Sequence, residues 1–518
     1  MSSGDGSGVR QAEVVASLSL ATDLALGQPM EHVLRLTRLA VGLSDAASAT
    51  PEVQAEAFYV ALLAWVGCVA DAHELAALFV DDVQLRADAS LVDRRRGPAM
   101  TRFIVRHAAA GRSPWGRVVA PLRVIVERKH LLSSTFGSHC DAITGFATQL
   151  GMTAGVVEAL GETFERWDGK GYRGMAKEEI GLPIRLVQLA TTAEIFHRVG
   201  GVDAALAEVR RRSGTQFDPR LVECLCDSSH ELLDPIGDTT SWDEVIDLAP
   251  HLDRVLSDDD LDRGLEAFAD FADIKSPFTL GHSRAVAELA GQAAELLELA
   301  DPRSLHRAGL VHDLGAVGVS NAIWESDHRL SVSDQERVRS HPYLTERALA
   351  RPEALGRIGA LAGLHHERLD GSGYPHGLRA DSLGVEARVL AAADVYQAMT
   401  EPRPHRPART AEQAAAELRA EVTLGRLDGE ATEAVLGAAG HQRRPPLRPG
   451  GLSPREVEVA RLVSRGLKTK AIATGLGIAE KTVTAHIDHI YTKIDVSSRA
   501  TLALWAVRQG LLPEEPSV

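Results

Sequence analysis

One short stretch of this chain occurs twice. Glu165-Arg-Trp-Asp-Gly-Lys-Gly-Tyr172 and Glu367-Arg-Leu-Asp-Gly-Ser-Gly-Tyr374 are identical at six of eight positions, and such self-similarity points to two copies of one folding unit. A weaker pair supports it: Leu62-Leu-Ala-Trp-Val-Gly67 parallels Leu310-Val-His-Asp-Leu-Gly315, with Ala64 and Trp65 where the later stretch has His312 and Asp313. The copies are about 200 residues apart by the first match and about 250 by the second, so the first copy carries extra sequence between Gly67 and Glu165, in loops or an added helix. At ~150 residues per domain, the 518 residues allow about three domains.

Ala, Leu and Val dominate and aromatic residues are only 4%, which favours an all-α architecture. No run of eighteen apolar residues interrupts the chain, and Met1 to Gly8 is small and polar. The expectation is a cytoplasmic protein with no membrane partner. Four irregularly spaced cysteines, Cys68, Cys140, Cys224 and Cys226, indicate neither a disulfide framework nor a zinc knuckle. A formal charge of −15 excludes nonspecific coating of nucleic acid by the whole molecule, though not a local basic face.

The sharpest boundary is the Pro/Gly-rich, basic segment 441–451, a linker between two periodic helical stretches. Between the copies, Ile236-Gly-Asp-Thr-Thr-Ser-Trp-Asp243 and the acidic Ser257-Asp-Asp-Asp260 punctuate the helices. This gives 10–254 as a first helical domain, 255–440 as a second, 441–451 as linker and 452–513 as a small terminal domain.

In the second copy His282, His312-Asp313, His341, His365-His366 and Asp394 follow at intervals of about one helix plus one loop. Each cluster on its own helix of a bundle brings these side chains together inside it, as in di-iron proteins. Their flanks are apolar: Ala-Gly-Leu-Val precedes His312, Val-Leu-Ala-Ala-Ala precedes Asp394, and Ser333-Asp-Gln-Glu336 reads as a capping box leading to His341. A buried lone carboxylate at Asp313 or Asp394 would cost several kcal/mol unless paired or metal-bound. A single histidine on an apolar face is usually structural, but seven such residues in one domain-sized stretch point to a metal centre. Mixed His and Asp donors without Cys suit Fe, Mn, Ni, Co or Zn, the set is large enough for two divalent ions (Fe or Mn foremost), and Asp313 is the natural bridge.

These residues resemble the HD-GYP branch of the HD superfamily over 270–410. His312-Asp313 matches the HD pair, and His365-His-Glu-Arg-Leu-Asp-Gly-Ser-Gly-Tyr-Pro375 the longer signature. The resemblance implies a metal-dependent phosphohydrolase acting on a cyclic dinucleotide such as cyclic di-guanylate or another phosphoester, with His312 and Asp313 at its catalytic centre. Arg403 and Arg406 resemble a family segment that follows the last ligand, and they are candidates, with Tyr374, for substrate contact; a solvated loop is the other reading. Two departures stand out: Ala316 replaces the usual lysine after His-Asp-x-Gly, and Phe278 replaces the glutamate of three-metal members. Two ions are expected rather than three, and loss of that cation could cost ~10²-fold in rate. By the same offsets the first copy keeps His32, His139 and Glu194 but has Ala64, Trp65, Thr163 and Phe164 at the ligand pairs. It is a degenerate copy that should not assemble this centre, with Gly169 and Gly171 kept as turn residues.

Residues 452–512 resemble the LuxR-type helix-turn-helix. Ser453 caps, Pro454 opens and Glu456 reaches back in a capping box, with Leu452 and Val457 as a hydrophobic staple. Lys470 to Ile478 reads as one helix and Glu480 to Lys493 as the recognition helix. Val483, Ile487 and Ile490 face the core, which leaves Lys470, Lys481, Thr482, Thr484 and His486 toward double-stranded DNA. From 451 to 513 nine Lys/Arg oppose five Asp/Glu, a local basic excess in an acidic chain. A last helix, Ser498 to Gln509, is the expected homodimer contact.

The expected fold is therefore all-α: two tandem HD-type helical bundles, the first degenerate, followed by a helix-turn-helix. Two functions follow, a DNA-binding regulator that hydrolyses a cyclic dinucleotide, or one whose weak or inactive HD domain senses the ligand and controls DNA binding.

Overall fold

The computed structural model describes residues 8–79, 81–92, 97–109, 124, 135–236, 242–250, 253–443, 449–509 and 511. Residues 1–7 of the polar start, 237–241, 444–448 of the linker, and 510 and 512–513 of the terminal domain lie outside them. Among the described residues the chain is all-α, with isolated bridges and no strand. It forms two compact units, residues 1–281 with 313–357 and residues 282–312 with 358–518.

In the first unit Gln11–Ala25, His32–Ala46, Pro51–Leu63 and Leu182–Arg212 pack on one another. Gln11–Ala25 is buried nearly all round, Val14, Val15, Leu18 and Leu20 included, the pattern of a helix enclosed by protein. Thr50 caps the N–H of Val53 and Pro51 fills the first turn of the third helix. The stretch Pro51–Val69 is long and apolar enough to cross a membrane, but Ala57 to Ala64 are buried against these neighbours, which accounts for their character.

That core encloses charge. Glu194 is 1% exposed and accepts from His32 Nδ1 at 2.5 Å and Arg35 Nε at 2.8 Å. Burial works to raise its carboxyl, but His32 and Arg35 outweigh burial and hold it at about 2.

Segment 313–357 belongs to the first unit, where the 3-10 turn Leu314–Gly318 packs on Gln11–Ala25, Asp258–Asp273 and His341–Leu349. Gly315 is required by close approach: a Cβ there would stand 2.1 Å from the carbonyl oxygen of His341. Gly67 meets the carbonyl of His139 the same way, at 2.4 Å. The helix Val332–Arg339 is capped by Ser331, whose hydroxyl accepts from Asp334 N at 3.2 Å. The expected box at Ser333 and Glu336 is thus corrected: both lie inside the helix, because Ser331 fits the same pattern two residues earlier and starts it there.

The repeated octapeptides are built alike. Glu367, 2% exposed, accepts the backbone N–H groups of His376 at 2.8 Å, Gly377 at 3.2 Å and Leu378 at 2.9 Å. Glu165 accepts those of Arg173 at 2.5 Å and Met175 at 3.0 Å. At Gly373 a Cβ would lie 2.5 Å from the Glu367 Cα, and at Gly171 2.5 Å from the Glu165 Cα. Each loop folds back over its own glutamate, so the second glycine has no space for a side chain.

In the second unit His282–Leu296, Pro302–Val311, Val385–Thr400 and Gly429–Ala438 form a bundle, with Ala411–Thr423 against the last two. The terminal domain is Pro454–Ser464, Thr469–Leu476, Glu480–Ile494 and Arg499–Arg508 around Leu452, Val457, Val483, Ile487, Ile490 and Leu502. Its capping box is present, with Ser453 N donating to Glu456 Oε2 at 2.6 Å.

Glu194 supplies a stability test. Its folded-state pKa is depressed from 4.5 to about 2, so its contribution is complete above the unfolded value and is lost as pH falls toward the folded one. The difference is worth about 3 kcal/mol. Urea titrations of wild type and Glu194→Gln should show the full gap at about pH 6 and less than half of it by about pH 3; a gap independent of pH would remove the charge from the account.

Candidate metal centre

The centre is built on imidazoles whose Nδ1 is already committed. His312 ends the helix Pro302–Val311, and its Nδ1 donates to the carbonyl of Gly309 at 2.8 Å. His365 does the same to Ala362 at 2.8 Å, and His341 to Val338 at 2.6 Å. A carbonyl can only accept, so Nδ1 carries the proton and Nε2 presents the lone pair. His282 begins its own helix, and its Nδ1 donates to Glu401 Oε2 at 2.9 Å. These are the outer hydrogen bonds that fix the tautomer and ring orientation of metal-ligating histidines.

Within the second unit the Nε2 atoms converge on Asp394. His282 Nε2 stands 3.4 Å and His312 Nε2 3.9 Å from Asp394 Oδ1, and His366 Nδ1 is 3.6 Å from Oδ2. His282, His312 and Asp394 are buried and each offers a ligand atom within 4.8 Å of the others. The His312 and His365 rings meet at 4.8 Å and those of His365 and His366 at 4.2 Å. Two donors about 2.1 Å from one ion stand roughly 3.0–3.5 Å apart, close to the spacing found. Burial works to raise the Asp394 carboxyl, but the hydrogen bond with His282 and the charges of His366, His365 and His312 hold it well below the usual carboxylate range. A largely buried nitrogen and carboxylate cluster without thiolates fits Fe, Mn or Zn.

Within the first unit Asp313 Oδ1 lies 3.2 Å from His341 Nε2, and Trp324 meets the His341 ring edge-on at 5.5 Å. Of the seven expected ligands, five are thus gathered in one unit and two in the other, and Asp313 follows His312 directly in the chain.

The candidates for substrate contact differ. Tyr374 lies 4.7 Å from the His366 ring, tilted by 36°. Arg403 pairs with Glu401 at 3.1 Å. Arg406 donates to the carbonyls of Ala398 at 2.5 Å, Met399 at 3.2 Å and Glu401 at 3.3 Å, so its guanidinium closes the end of the helix Val385–Thr400. Glu401 itself was not singled out from sequence. Its position two helical turns after Asp394 was the available signal, since that spacing returns to the same face.

In the terminal domain Lys470, Lys481, Thr482 and Thr484 are exposed and His486 is half-buried, while Val483, Ile487 and Ile490 are buried. The Thr484 hydroxyl donates to the Glu480 carbonyl at 3.1 Å.

Residues 266–431 match the HD domain family, and residues 451–506 the luxR family of bacterial regulatory proteins. The chain joins an HD domain to a LuxR-family helix-turn-helix domain. It is 29% identical over 412 residues to the 3'3'-cGAMP-specific phosphodiesterase 3 of Vibrio cholerae serotype O1, covering 78% of this chain and 89% of that protein. It is 34% identical over 156 residues to the cyclic di-GMP phosphodiesterase response regulator RpfG of Xanthomonas campestris pv. campestris, covering 29% of this chain and 41% of that protein. The crystal structure of a cyclic GMP-AMP specific phosphodiesterase of V. cholerae superposes with a TM-score of 0.57 at 25% identity, over 84% of this chain and 99% of that one. The seven expected ligands, Glu401 and Arg403 all fall inside the segment matched to the HD domain.

Replacing Glu401 by alanine should leave His282 free to rotate and weaken metal binding by roughly 10- to 100-fold, the usual effect of losing such a partner. Competition with a chromogenic chelator measures this directly; unchanged affinity would separate Glu401 from the centre.

Proposed function

We propose that the chain is a metal-dependent phosphodiesterase for a cyclic dinucleotide, joined to a domain that binds double-stranded DNA. The observation that carries this reading is the pair of buried imidazoles, His282 and His312, with Nδ1 tied to Glu401 or to the Gly309 carbonyl and Nε2 aimed toward Asp394. The names of the relatives support the substrate class, as both act on cyclic dinucleotides.

His282, His312, Asp313, His341, His365, His366 and Asp394 would hold two divalent ions, iron or manganese foremost. Such ions supply Lewis acidity toward a phosphodiester oxygen and lower the pKa of the attacking water. The protein's part is orientation. The Nδ1 donors and Glu401 hold the rings rigid, and Arg403, steadied by Glu401, offers a guanidinium to the second phosphate of the substrate. Tyr374, beside His366, offers a ring face to a base.

We read residues 10–254 as a degenerate copy of the HD fold. The like packing of Gly67 on His139 and Gly315 on His341, and the like loops over Glu165 and Glu367, support it. Lys470, Lys481, Thr482, Thr484 and His486 are the proposed DNA contacts, with a homodimer through Arg499–Arg508.

Iron- or manganese-loaded protein should linearise cyclic di-guanylate or cyclic GMP-AMP, and Asp313→Ala should lower the rate by at least about 10³-fold. Chromatography of the products decides it. Loaded protein that leaves both nucleotides intact would end the enzymatic reading.

One observation favours a second, compatible reading in which ligand occupancy sets DNA affinity. The Tyr396 hydroxyl, on the helix that carries Asp394, lies 2.9 Å from His441 Nε2 at the head of the linker. In Asp313→Ala, which binds without turnover, cyclic dinucleotide should shift DNA affinity by roughly 5-fold or more, and DNA should shift nucleotide affinity by the same factor. Identical DNA titrations with and without nucleotide would exclude the coupling.

A further inference from the structure

The extra sequence after Gly67 contains a buried charge cluster that no part of the proposed chemistry uses. Asp82, 0% exposed, accepts from Arg86 Nη1 at 2.9 Å, and Arg86 Nη2 donates to Asp71 at 2.8 Å. The other Asp82 oxygen accepts from the Ser320 hydroxyl at 2.9 Å and from Asn321 N at 2.8 Å. Asn321 in turn donates its side-chain N–H to the carbonyl of Lys275 at 2.7 Å. The Lys275 ammonium ends on three carbonyls of the turn after Asp313: Val317 at 2.8 Å, Ala316 at 3.4 Å, and Val319. Asp313, Ala316, Lys275, Asn321 and Trp324 line one cleft.

All these residues lie in the first unit, and within the paired core Asp71 and Asp82 are matched by Arg86 and Lys275, while Glu325, which accepts from Asn321 at 3.0 Å, and Asp313 add negative charge beside it. Burial works against ionising Asp82, but Lys275 and Arg86, with the Asn321 N–H and Ser320 hydroxyl, hold its carboxyl below the usual range. Burial pushes the Lys275 ammonium down to about 8, with Asp82 acting against it. A buried ion cluster of this kind is seldom the most stable way to fill a core. It does fix geometry. The turn Leu314–Gly318 is held at its start by Gly315 N on the Thr345 hydroxyl at 2.8 Å, at its carbonyl end by Lys275, and just beyond by Asp82. Asp313 cannot move without straining that clamp.

We propose that Asp82, with Arg86 and Lys275, is a positioning apparatus for Asp313 and His341, so that the N-terminal region sets the competence of the metal centre. The proposal rests on the reading of Asp313 and His341 as metal ligands. Asp82 and Arg86 lie on the helix Asp82–Ala89, within the stretch by which the first repeat exceeds the second. The added helix thus has a task in the geometry of the other repeat's site.

The test measures metal stoichiometry and affinity of the full chain, by elemental analysis and chelator competition, beside urea stability and cyclic dinucleotide turnover. Asp82→Asn should weaken metal binding at least about 10-fold, and Ser320→Ala, which removes one bond to Asp82 and leaves the charges in place, about 3-fold. Val209→Ala, in the core of the same unit but away from the cluster, is the control for general loosening. Metal affinity that follows Asp82 and Ser320 and ignores Val209 supports the proposal, even if the wild type binds ions and hydrolyses nothing, an outcome that would sink only the phosphodiesterase reading. Wild-type affinity in Asp82→Asn, or an equal loss in Val209→Ala, overturns the proposal and leaves that reading standing. A wild type that takes up no ion overturns both.

Discussion

The metal centre depends on a small backbone fact: a histidine at the end of a helix or turn can donate Nδ1 to the carbonyl three residues before it. His312, His341 and His365 all do so. The carbonyls at a helix end have lost their intrahelical partners, so the same hydrogen bond satisfies the backbone and selects the tautomer. Orientation of the donor atoms is therefore built in by bonds that span only three residues. What tertiary packing adds is convergence, by bringing the helix of His282 against those of His312 and Asp394. At His282 the Nδ1 partner is the Glu401 carboxylate.

If residues 10–254 are a degenerate copy, as proposed above, they show what the same framework does without ligand pairs. Glu194 meets His32 as Asp394 meets His282, but Arg35, one turn after His32, bonds directly to the carboxylate. Ala285 stands at the same step after His282. A guanidinium fixed to the chain supplies the positive charge that a buried carboxylate requires, and it makes a cation from solution unnecessary. Longer Glu in place of Asp, and Trp65 in place of an acid, fit the same change from ion binding to a self-neutralised core.

How far the sequence could be read followed the range of the interactions. The octapeptide loop was legible because its glycines answer a local constraint, the chain passing directly over Glu165 or Glu367. The capping box at Ser453 was legible for the same reason, and Ser331 was misplaced by two residues because adjacent serines satisfy one local pattern equally well. The expected ligands were picked out by their residue types and order. Glu401 could have been found by periodicity. For Asp82 the sequence marks only the local partner Arg86, four residues on, and for Lys275 none; the bonds that tie them to the turn after Asp313 span 239 residues to Asn321 and 42 to Val317.

The same cluster bears on Ala316, where the resemblance leads one to expect a lysine. Lys275 brings an ammonium to this cleft from the turn after the helix Asp258–Asp273, and it is tempting to treat it as a replacement. Its hydrogen bonds argue otherwise: three carbonyl oxygens occupy its three protons, so contact with a phosphate would require giving up bonds that hold the turn after Asp313. Lys275 stabilises the place of a ligand and does not add a cation for the substrate. On the proposed reading, positive charge for a phosphodiester would come from bound ions and from Arg403, whose partner Glu401 also accepts from His282. Metal occupancy and phosphate recognition thereby meet at one carboxylate, a tighter dependence on bound metal than a site with its own lysine would have.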